Sequence, residues 1–593
     1  MTNLVLLTFL PLVGALLILL APKGSEALMR IAALVTTLAT AVVGVATYMA
    51  FDGASSTIQF QVRHDWFTLP GAEGGLPVTF FLGLDGLSVL MVGLTSVLMP
   101  IVILSTWSNV ETRVKEFLVW MLVMETGMLG TFLSLDLVLF YVFWEVSLIP
   151  LYFLVGIWGG ERRLYATVKF FLFTVAGSLV MMVGVISLLY GFGSSNVLEI
   201  ANRAPGLAVS AQLWLFSAFA LAFAIKVPLL PFHTWLADAH TEAPTAGSVV
   251  LAGVLLKMGT YGLLRYCIAM FPDAAIAASP VFMALGAIGI VYGAFLAMAQ
   301  TDLKRLVACS SVSHMGYVVL GLFALTSTGL YGGVLQMVNH GLSTGLLFLL
   351  VGMIYERRHT RALDQFGGLA SVMPVFALFF VFAVLSSVGL PGLNGFVGEY
   401  LILLGAFEAS PLWGVLGTTG VVFGAIYLLM ATRKVLWGPV VHAANRSLSD
   451  LKPREIALML PIVVLCVWIG VAPTGFLDKG KASLDLVLQR VERARALAAV
   501  EGPERDALAR DFPRFEFEGQ DLRTARALPA QPSPSSEALT MLVVPSASAA
   551  DASSAPLSLP APSNGPLEGR FFPGGSSTLR GVRLRPAGEE GQR

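Results

Sequence analysis

Apolar runs of about twenty residues follow one another along most of this chain, broken by short polar loops, from residue 3 to residue 474. An α-helix rises about 1.5 Å per residue, so about twenty residues cross the ~30 Å hydrocarbon layer of a bilayer. The pattern predicts an all-α polytopic membrane protein of about 14 transmembrane segments, at 3–21, 28–50, 79–106, 115–133, 135–158, 164–192, 210–235, 245–270, 279–300, 305–325, 328–354, 373–405, 411–437 and 455–474. The first run, MTNLVLLTFLPLVGALLILLAP, lacks a positive n-region and is long enough to span, so it reads as a retained helix and not a cleaved signal. After residue 475 the pattern changes, and KASLDLVLQRVERARALAAVEGPERDALARDF predicts an amphipathic helix at the membrane interface. From about residue 527 the chain is rich in Pro, Ser, Ala and Gly, which predicts a disordered tail.

Composition agrees with the pattern. Of 593 residues 56% are hydrophobic and 12% charged, against roughly 25% charged in soluble domains. Thirty-seven basic residues balance 37 acidic ones, so no broad basic face points to nucleic acid. Loop charge fixes an orientation. Loops after odd-numbered segments hold Lys23, Arg30, Arg113, Lys115, Arg162, Arg163, Lys304, Arg305, Arg357, Arg358, Arg361, Arg433, Lys434, Arg446, Lys452 and Arg454, whereas those after even-numbered segments hold almost only Arg63 and Arg203. The odd loops are therefore expected in the cytoplasm and both termini outside it.

Against this apolar background the charges inside the spans stand out. Glu145 sits in LVLFYVFWEVSLIPLYFLVG, Lys226 in AFAIKVPLLPFHTWLADAH, Lys257 in VVLAGVLLKMGTYGLLR and Glu399 in LSSVGLPGLNGFVGEYLILLG. Each costs about 2.5–3.5 kcal/mol at a bilayer centre unless paired, hydrated or turned inward. His233, His314 and His340 add three further groups that exchange protons. A simple ion pair between Glu145 and Lys226 could merely join two helices. The histidines could relay protons, satisfy core partners or hold a haem between them. Glu125, on the fourth segment, is a secondary candidate beside His233, and Asp85 and Asp302 read as anchors at helix starts or the surface.

Prolines explain how such charges are tolerated. Pro228 and Pro231 lack the N–H a helix needs, so the seventh segment must kink or unwind beside Lys226. A break of this kind is stable in a membrane only where it lines protein or water. GLPGLNGF breaks the twelfth segment at Pro391, about two turns before Glu399. Two broken helices an odd number of segments apart suggest two inverted five-helix repeats, at 115–270 and 271–440, flanked by 1–114, 441–500 and a tail at 501–593. Laid on each other, the repeats place Glu145 against His314 and Lys226 against Glu399, with Lys257 between. Such a row of ionisable groups fits proton translocation across the membrane. No energy source is visible: there is no dinucleotide fingerprint, no Walker lysine loop and no metal-ligand spacing, and Cys267, Cys309 and Cys466 lie far apart in apolar runs. No cofactor or metal is expected in this chain.

FWEVSLIPLY, AIKVPLLPFHTWLADAHTEAPTAGSVVLAGVLLKMGTYGLLR, DLKRLVACSSVSHMGYV and GLPGLNGFVGEYLIL closely resemble the subunit M family of bacterial NADH-quinone oxidoreductase (respiratory complex I), whose mitochondrial relative is NADH dehydrogenase chain 4. The resemblance spans about residues 1–490. It implies an antiporter-like proton channel in a bacterial cell membrane, driven by quinone reduction elsewhere in the complex. It further implies proton-path roles for Glu145, Lys226, Lys257, His314, His340 and Glu399. NADH, FMN, iron–sulfur clusters and quinone are then expected in other subunits, with antiporter-like subunits L and N as neighbours. Glutamate at position 399 separates subunit M from those sisters, which tend to carry lysine there. The competing readings are a subunit of a multi-chain sodium/proton antiporter and a non-transporting membrane scaffold.

Overall fold

The computed structural model describes residues 3–22, 24–70, 75–500 and 508–517. The chain opens with α1 (Asn3–Leu20) and α2 (Glu26–Ala50), then a hairpin of β1 (Gln59–Leu69) and β2 (Leu76–Leu84). The helices α3 (Val89–Ser105), α4 (Val114–Leu133), α5 (Leu137–Trp158), α6 (Arg163–Phe192), α7 (Val209–Lys226) and α8 (Thr234–Glu242) follow. Next come α9 (Thr245–Ile268), α10 (Pro272–Met298), α11 (Leu303–Phe323) and α12 (Ser327–Arg358). The series closes with α13 (Pro374–Val388), α14 (Asn394–Ala409), α15 (Pro411–Leu436), α16 (Pro453–Val471) and α17 (Thr474–Ala499). Among the described residues eleven helices are long and apolar enough to cross a membrane, and α1, α3 and α13 are shorter apolar helices.

The hairpin corrects one expectation, that of a helix from residue 79. LPVTFFLGL is rich in β-branched and aromatic residues, and those pack well on a pleated surface. It pairs antiparallel with β1, Val62 opposite Leu82 and His64 opposite Phe80, and buries nearly its whole length against the helices. The third helix therefore starts only at Val89.

Burial sorts the helices into an inner group and a rim. The most apolar stretches of α9, α11 and α12 are wholly buried, whereas those of α2, α15 and α16 keep most residues on the outside. Outer residues such as Val42, Leu172 and Val415 are large and apolar, as suits a surface turned to lipid or to other apolar helices. α9 holds two wide π turns, at Leu251–Leu255 and Leu263–Ile268, on either side of Lys257. Turns of this kind free backbone carbonyls and cluster at functional sites.

The same backbone contacts recur at a constant offset. Leu137 N–H donates to Ser195 O and Val197 N–H to Leu135 O, at 2.8 and 2.9 Å; Leu303 N–H donates to Arg361 O and Leu363 N–H to Thr301 O, both at 2.8 Å. Asp136 caps α5 as Asp302 caps α11. Gly127 lets α4 touch Ser147 of α5, and at the same offset Gly293 lets α10 touch Ser313 of α11: a Cβ on either would stand 3.0 Å from the serine Cα. α6 ends in a left-handed Gly193 (φ 66°) and α12 in a left-handed His359 (φ 50°), again in register.

Both broken helices unwind in one way. Past Lys226, Leu229 N–H reaches back to Ala224 O and Phe232 N–H to Leu229 O. Past Val388, Leu390 N–H reaches back to Leu385 O and Leu393 N–H to Leu390 O. Pro228 stands at the turn of the first break, and Gly389, left-handed (φ 84°), at the matching position of the second. The indole N–H of Trp235 donates to Ile225 O at 2.9 Å, so a carbonyl left without its helical partner is not stranded. Beyond α17, residues 508–510 form a helical turn and 511–517 an extended segment; positions 501–507 and 518–593 of the expected tail lie outside the described residues.

Candidate functional site

Four of the expected residues touch in sequence. The Lys257 ammonium donates to Ala252 O, a carbonyl in the first wide turn of α9, and lies 2.7 Å from His340 Nδ1 on α12. The His340 ring stands 5.7 Å, centre to centre, from that of His314 on α11. His314 Nδ1 is 3.1 Å from Glu399 Oε1 on α14, and Gln336 donates to the same oxygen at 3.2 Å. All four are buried, Lys257 wholly so. Lysine, histidine, histidine and glutamate thus form one row across α9, α12, α11 and α14. Every member exists in a protonated and an unprotonated form; Lys257 with His340 and His314 with Glu399 are two hydrogen-bonded pairs, and the two histidine rings face each other between the pairs without a direct hydrogen bond, His340 Nε2 having no partner. The haem alternative is not supported by the geometry. Both ring nitrogens of His314 already face protein partners, Glu399 and the Tyr427 hydroxyl at 3.3 Å, which leaves none for iron.

The first half is arranged differently. Lys226 ends α7 at the break and is buried, with its ammonium 5.1 Å above the Trp144 ring. Among the described residues no carboxylate lies within salt-bridge distance of it, although Glu145 is its nearest opposing charge. Glu145 lies on the half-buried outer side of α5 beside Tyr141. The two groups are therefore neighbours rather than a clamp. Gly259 of α9 abuts both the backbone at Phe223 and the stem of Lys226, which brings α9, and with it Lys257, against the end of α7.

The register of the recurring contacts corrects the expected pairing of the halves. At the offset linking Leu137 to Leu303, Glu145 falls on Ser311 and not on His314. At the offset linking Ala224 to Leu385, Lys226 falls on Ser387 and not on Glu399. The contacts alike at these offsets join corresponding helices, while the residues at matching positions differ in chemistry.

The secondary candidates separate. Glu125 is completely buried on α4 and neither carboxylate oxygen has a hydrogen-bond partner. His233 caps α8 and packs edge-on against Tyr292. Pro228 is buried, whereas Pro231 and Pro391 are exposed at their turns. Asp85 is a structural anchor: it pairs with Arg265 at 2.5 Å, both at most 2% exposed, and accepts from Leu87 and Ser88 N–H. Asp136 accepts from Thr79 and Ser195 and ties hairpin, α5 and α6 together; burial pushes its carboxyl up, partly offset by those donors.

Sequence reasoning missed His240. It is wholly buried on α8, stacked on Phe348 at 4.7 Å, with neither nitrogen hydrogen-bonded, and Lys304 and Lys257 are the charges within its electrostatic reach. The signal was present, because His240 lies two helical turns beyond His233 on the same face. Behind it, Lys304 donates to Ala243 O and lines a cavity of about 160 Å³ with Glu242, Thr245, Tyr355 and Arg361. A larger cavity of about 630 Å³, lined by Asn109, Glu111, Arg163 and Glu356, shares Thr245 and Tyr355 with it. Among the described residues no three His, Cys, Asp or Glu side chains gather as metal ligands.

Comparison with known proteins adds an independent line. Residues 134–424 match the family described as "NADH:quinone oxidoreductase/Mrp antiporter, TM". The NADH-quinone oxidoreductase subunit M of Rhodobacter capsulatus is 42% identical over 484 residues, covering 79% of this chain and 93% of that one. The NADH-ubiquinone oxidoreductase chain 4 of Arabidopsis thaliana is 39% identical over 488 residues, covering 82% and 97%. Among solved structures, a chain of respiratory complex I from Thermus thermophilus with bound NADH superposes with a TM-score of 0.72 at 34% identity, over 82% of this chain and 99% of that one.

Proposed function

The chain belongs to the subunit M family of NADH-quinone oxidoreductases, and from that premise we propose that it is a proton-translocating subunit of the membrane arm of such a complex. One observation carries the reading: Lys257, His340, His314 and Glu399 line up as two hydrogen-bonded pairs of proton-exchanging side chains, their histidine rings 5.7 Å apart, in the buried helices. Glu145 and Lys226 lead into the row from the first half. The short helices α1, α3 and α13, and the break between α13 and α14, complete about fourteen crossings when added to the longer helices. The recurring contacts support two inverted units, at 115–270 and 271–440. In this reading the end bearing both cavities faces the cytoplasm and both termini lie outside, which the charge bias of the loops supports, and the membrane is that of a bacterial cell.

The chain carries no redox chemistry of its own in this reading. NADH, FMN, iron–sulfur clusters and quinone belong to other subunits, and subunits L and N are the neighbours that complete its flanks. Protons enter from the cytoplasmic cavities by way of Lys304 and His240 and reach Lys257. A nearby carboxylate holds a proton on a lysine, and moving the two apart releases it. Carrying one charge against about 100 mV costs about 2.3 kcal/mol, less than two pKa units at about 1.36 kcal/mol each. Modest rearrangements of the pairs therefore suffice.

The test uses inverted membrane vesicles holding the whole complex. Lys226→Ala and His340→Ala are each expected to lower NADH-driven proton uptake per assembled complex at least tenfold, with quinone reduction slowed in parallel because the two are coupled. Wild-type uptake in both variants would sink the reading. The family description also names an Mrp antiporter, and the second reading is a subunit of a multi-chain sodium/proton antiporter. Sodium-dependent transport without a co-purifying quinone reductase would favour that alternative.

A further inference from the structure

Asp238 lies outside the row just described, yet it is the most heavily paired acid on the broken helices. It sits in the middle of α8, the half-helix that follows the first break, with its side chain 14% exposed. One carboxylate oxygen accepts from Lys169 Nζ of α6 at 2.7 Å, and the other from Arg305 of α11 at 3.0 Å. Lys169 belongs to the first half of the molecule and Arg305 to the second. A single carboxylate therefore ties the second piece of one broken helix to both halves.

Its position in the fold is not arbitrary. The offset that carries Ala224, Leu229 and Phe232 onto Leu385, Leu390 and Leu393 carries Asp238 onto Glu399. The offset that carries Leu137 and Ser195 onto Leu303 and Arg361 carries Lys169 onto the residue next to Gln336, which is itself the α12 partner of Glu399 at 3.2 Å. Each half thus has an acid on the half-helix beyond its break, held by a side chain from the matching long helix. In the second half that acid is a member of the buried row. In the first half it is drawn out into an ionic triad.

The other polar ties of α8 lie at its two ends. Trp235 bonds across the break to Ile225, one residue before Lys226; at the far end His240 O accepts from Ser248, Thr241 O from Arg361, and Glu242 from the N–H groups of Gly160 and Arg162. Asp238 alone fastens the middle of the helix by its side chain to both halves. The helix begins at His233, which lies in the field of Lys169, and carries His240 towards Lys257 and Lys304. Cys309 of α11 also faces Asp238 and Arg305. Displacing α8 about the break would shift the end of α7, and with it Lys226, relative to α9.

We propose that Asp238, with Lys169 and Arg305, is a positioning site for proton transfer: an ionic latch that fastens α8 to both halves and sets where Lys226 and His240 stand relative to Lys257. The proposal rests on the proton-translocation reading above. Removing the carboxylate takes both ionic ties from α8 and leaves Lys169 of α6 and Arg305 of α11 as like charges with no anion between them, which frees α8 and loosens its seat. Lengthening it by one methylene keeps the charge and most of the geometry.

The test again uses the whole complex in inverted vesicles. Enzyme content is measured by NADH oxidation with a soluble artificial acceptor and by native gel. Asp238→Asn is expected to leave content unchanged while proton uptake and quinone reduction fall five- to tenfold. Asp238→Glu is expected to return both to within twofold of wild type, a rescue that a defect in packing alone would not show. Lys226→Ala serves as the control. If Lys226→Ala is inactive but Asp238→Asn pumps at the wild-type rate per complex, the latch is overturned and the proton path stands. If Lys226→Ala also pumps normally, the path itself fails and the latch with it. Should Asp238→Asn reduce assembly, Lys169→Gln and Arg305→Gln each keep one cation on the acid and are expected to lower uptake two- to fivefold. Wild-type uptake per complex in both of those would reduce the triad to an anchor and refute the proposal.

Discussion

At the scale of single residues the buried charges divide by what surrounds them. Arg265 and Asp85 are a closed pair: the acid also accepts from two backbone N–H groups and a serine, and the base leans on Tyr261. Breaking such a pair strands a charge in the core, which costs about 3–5 kcal/mol. Asp85→Asn is therefore expected to destabilise the membrane arm, read as a lower temperature for subunit loss on native gels, with little effect on the pumping of complexes that survive. Lys257 and the two histidines have the opposite character, because their partners are themselves titratable. This contrast explains what was legible beforehand. Glu145, Lys226, Lys257 and Glu399 announce themselves as charges in apolar runs. The pairing of Asp85 with Arg265 depends on two distant segments meeting, and no local pattern encodes that. Gln336 and Tyr427 are neutral, so nothing in their neighbourhood marks them as partners of Glu399 and His314.

At the scale of elements, what the prolines predict is a break, and the breaks occur at Lys226 and Val388. Pro391 lies wholly outside helix, so α13 and α14 are separate pieces. The hairpin was the element that periodicity missed. A short apolar run with β-branched and aromatic residues fits a buried strand and a helix alike, and only its pairing with β1 decides. The glycines at helix contacts carry the sharpest expectation. A Cβ on Gly293 would stand 2.5 Å from Ser313 N and 3.0 Å from its Cα, both backbone atoms that cannot yield without moving α10 off α11. Gly293→Val is expected to cost at least the ~1–3 kcal/mol of an overpacked core. It should be seen as reduced content of assembled complex, whereas the same change at Gly191, where a Cβ meets nothing within 4 Å, should be silent.

At the scale of the whole molecule, the segment past α17 acts as a strap. Arg490 of α17 is fully buried, donates to Ala269 O at 3.0 Å and to Ala201 O and Pro513 O, and lies 4.9 Å over the Phe515 ring. The Asn202 side chain clasps the backbone of Phe515 in both directions, at 2.8 and 2.9 Å. Truncation after residue 500 removes Phe515 and the Pro513 carbonyl, uncovers Arg490 and strips Asn202 of its partner, and is expected to lower the melting temperature of the complex. Unchanged melting would show that α17 holds by itself. The tail's composition gave no hint of this segment, because FPRFEF is too short for periodicity to register.

Glu145 stands half-buried on the outer flank of α5, at one end of the chain of titrating groups, while Glu399 closes the other end inside the fold. On the proposed proton path, a terminal at the flank would open toward an adjoining polypeptide, so that damage there would be felt beyond this chain.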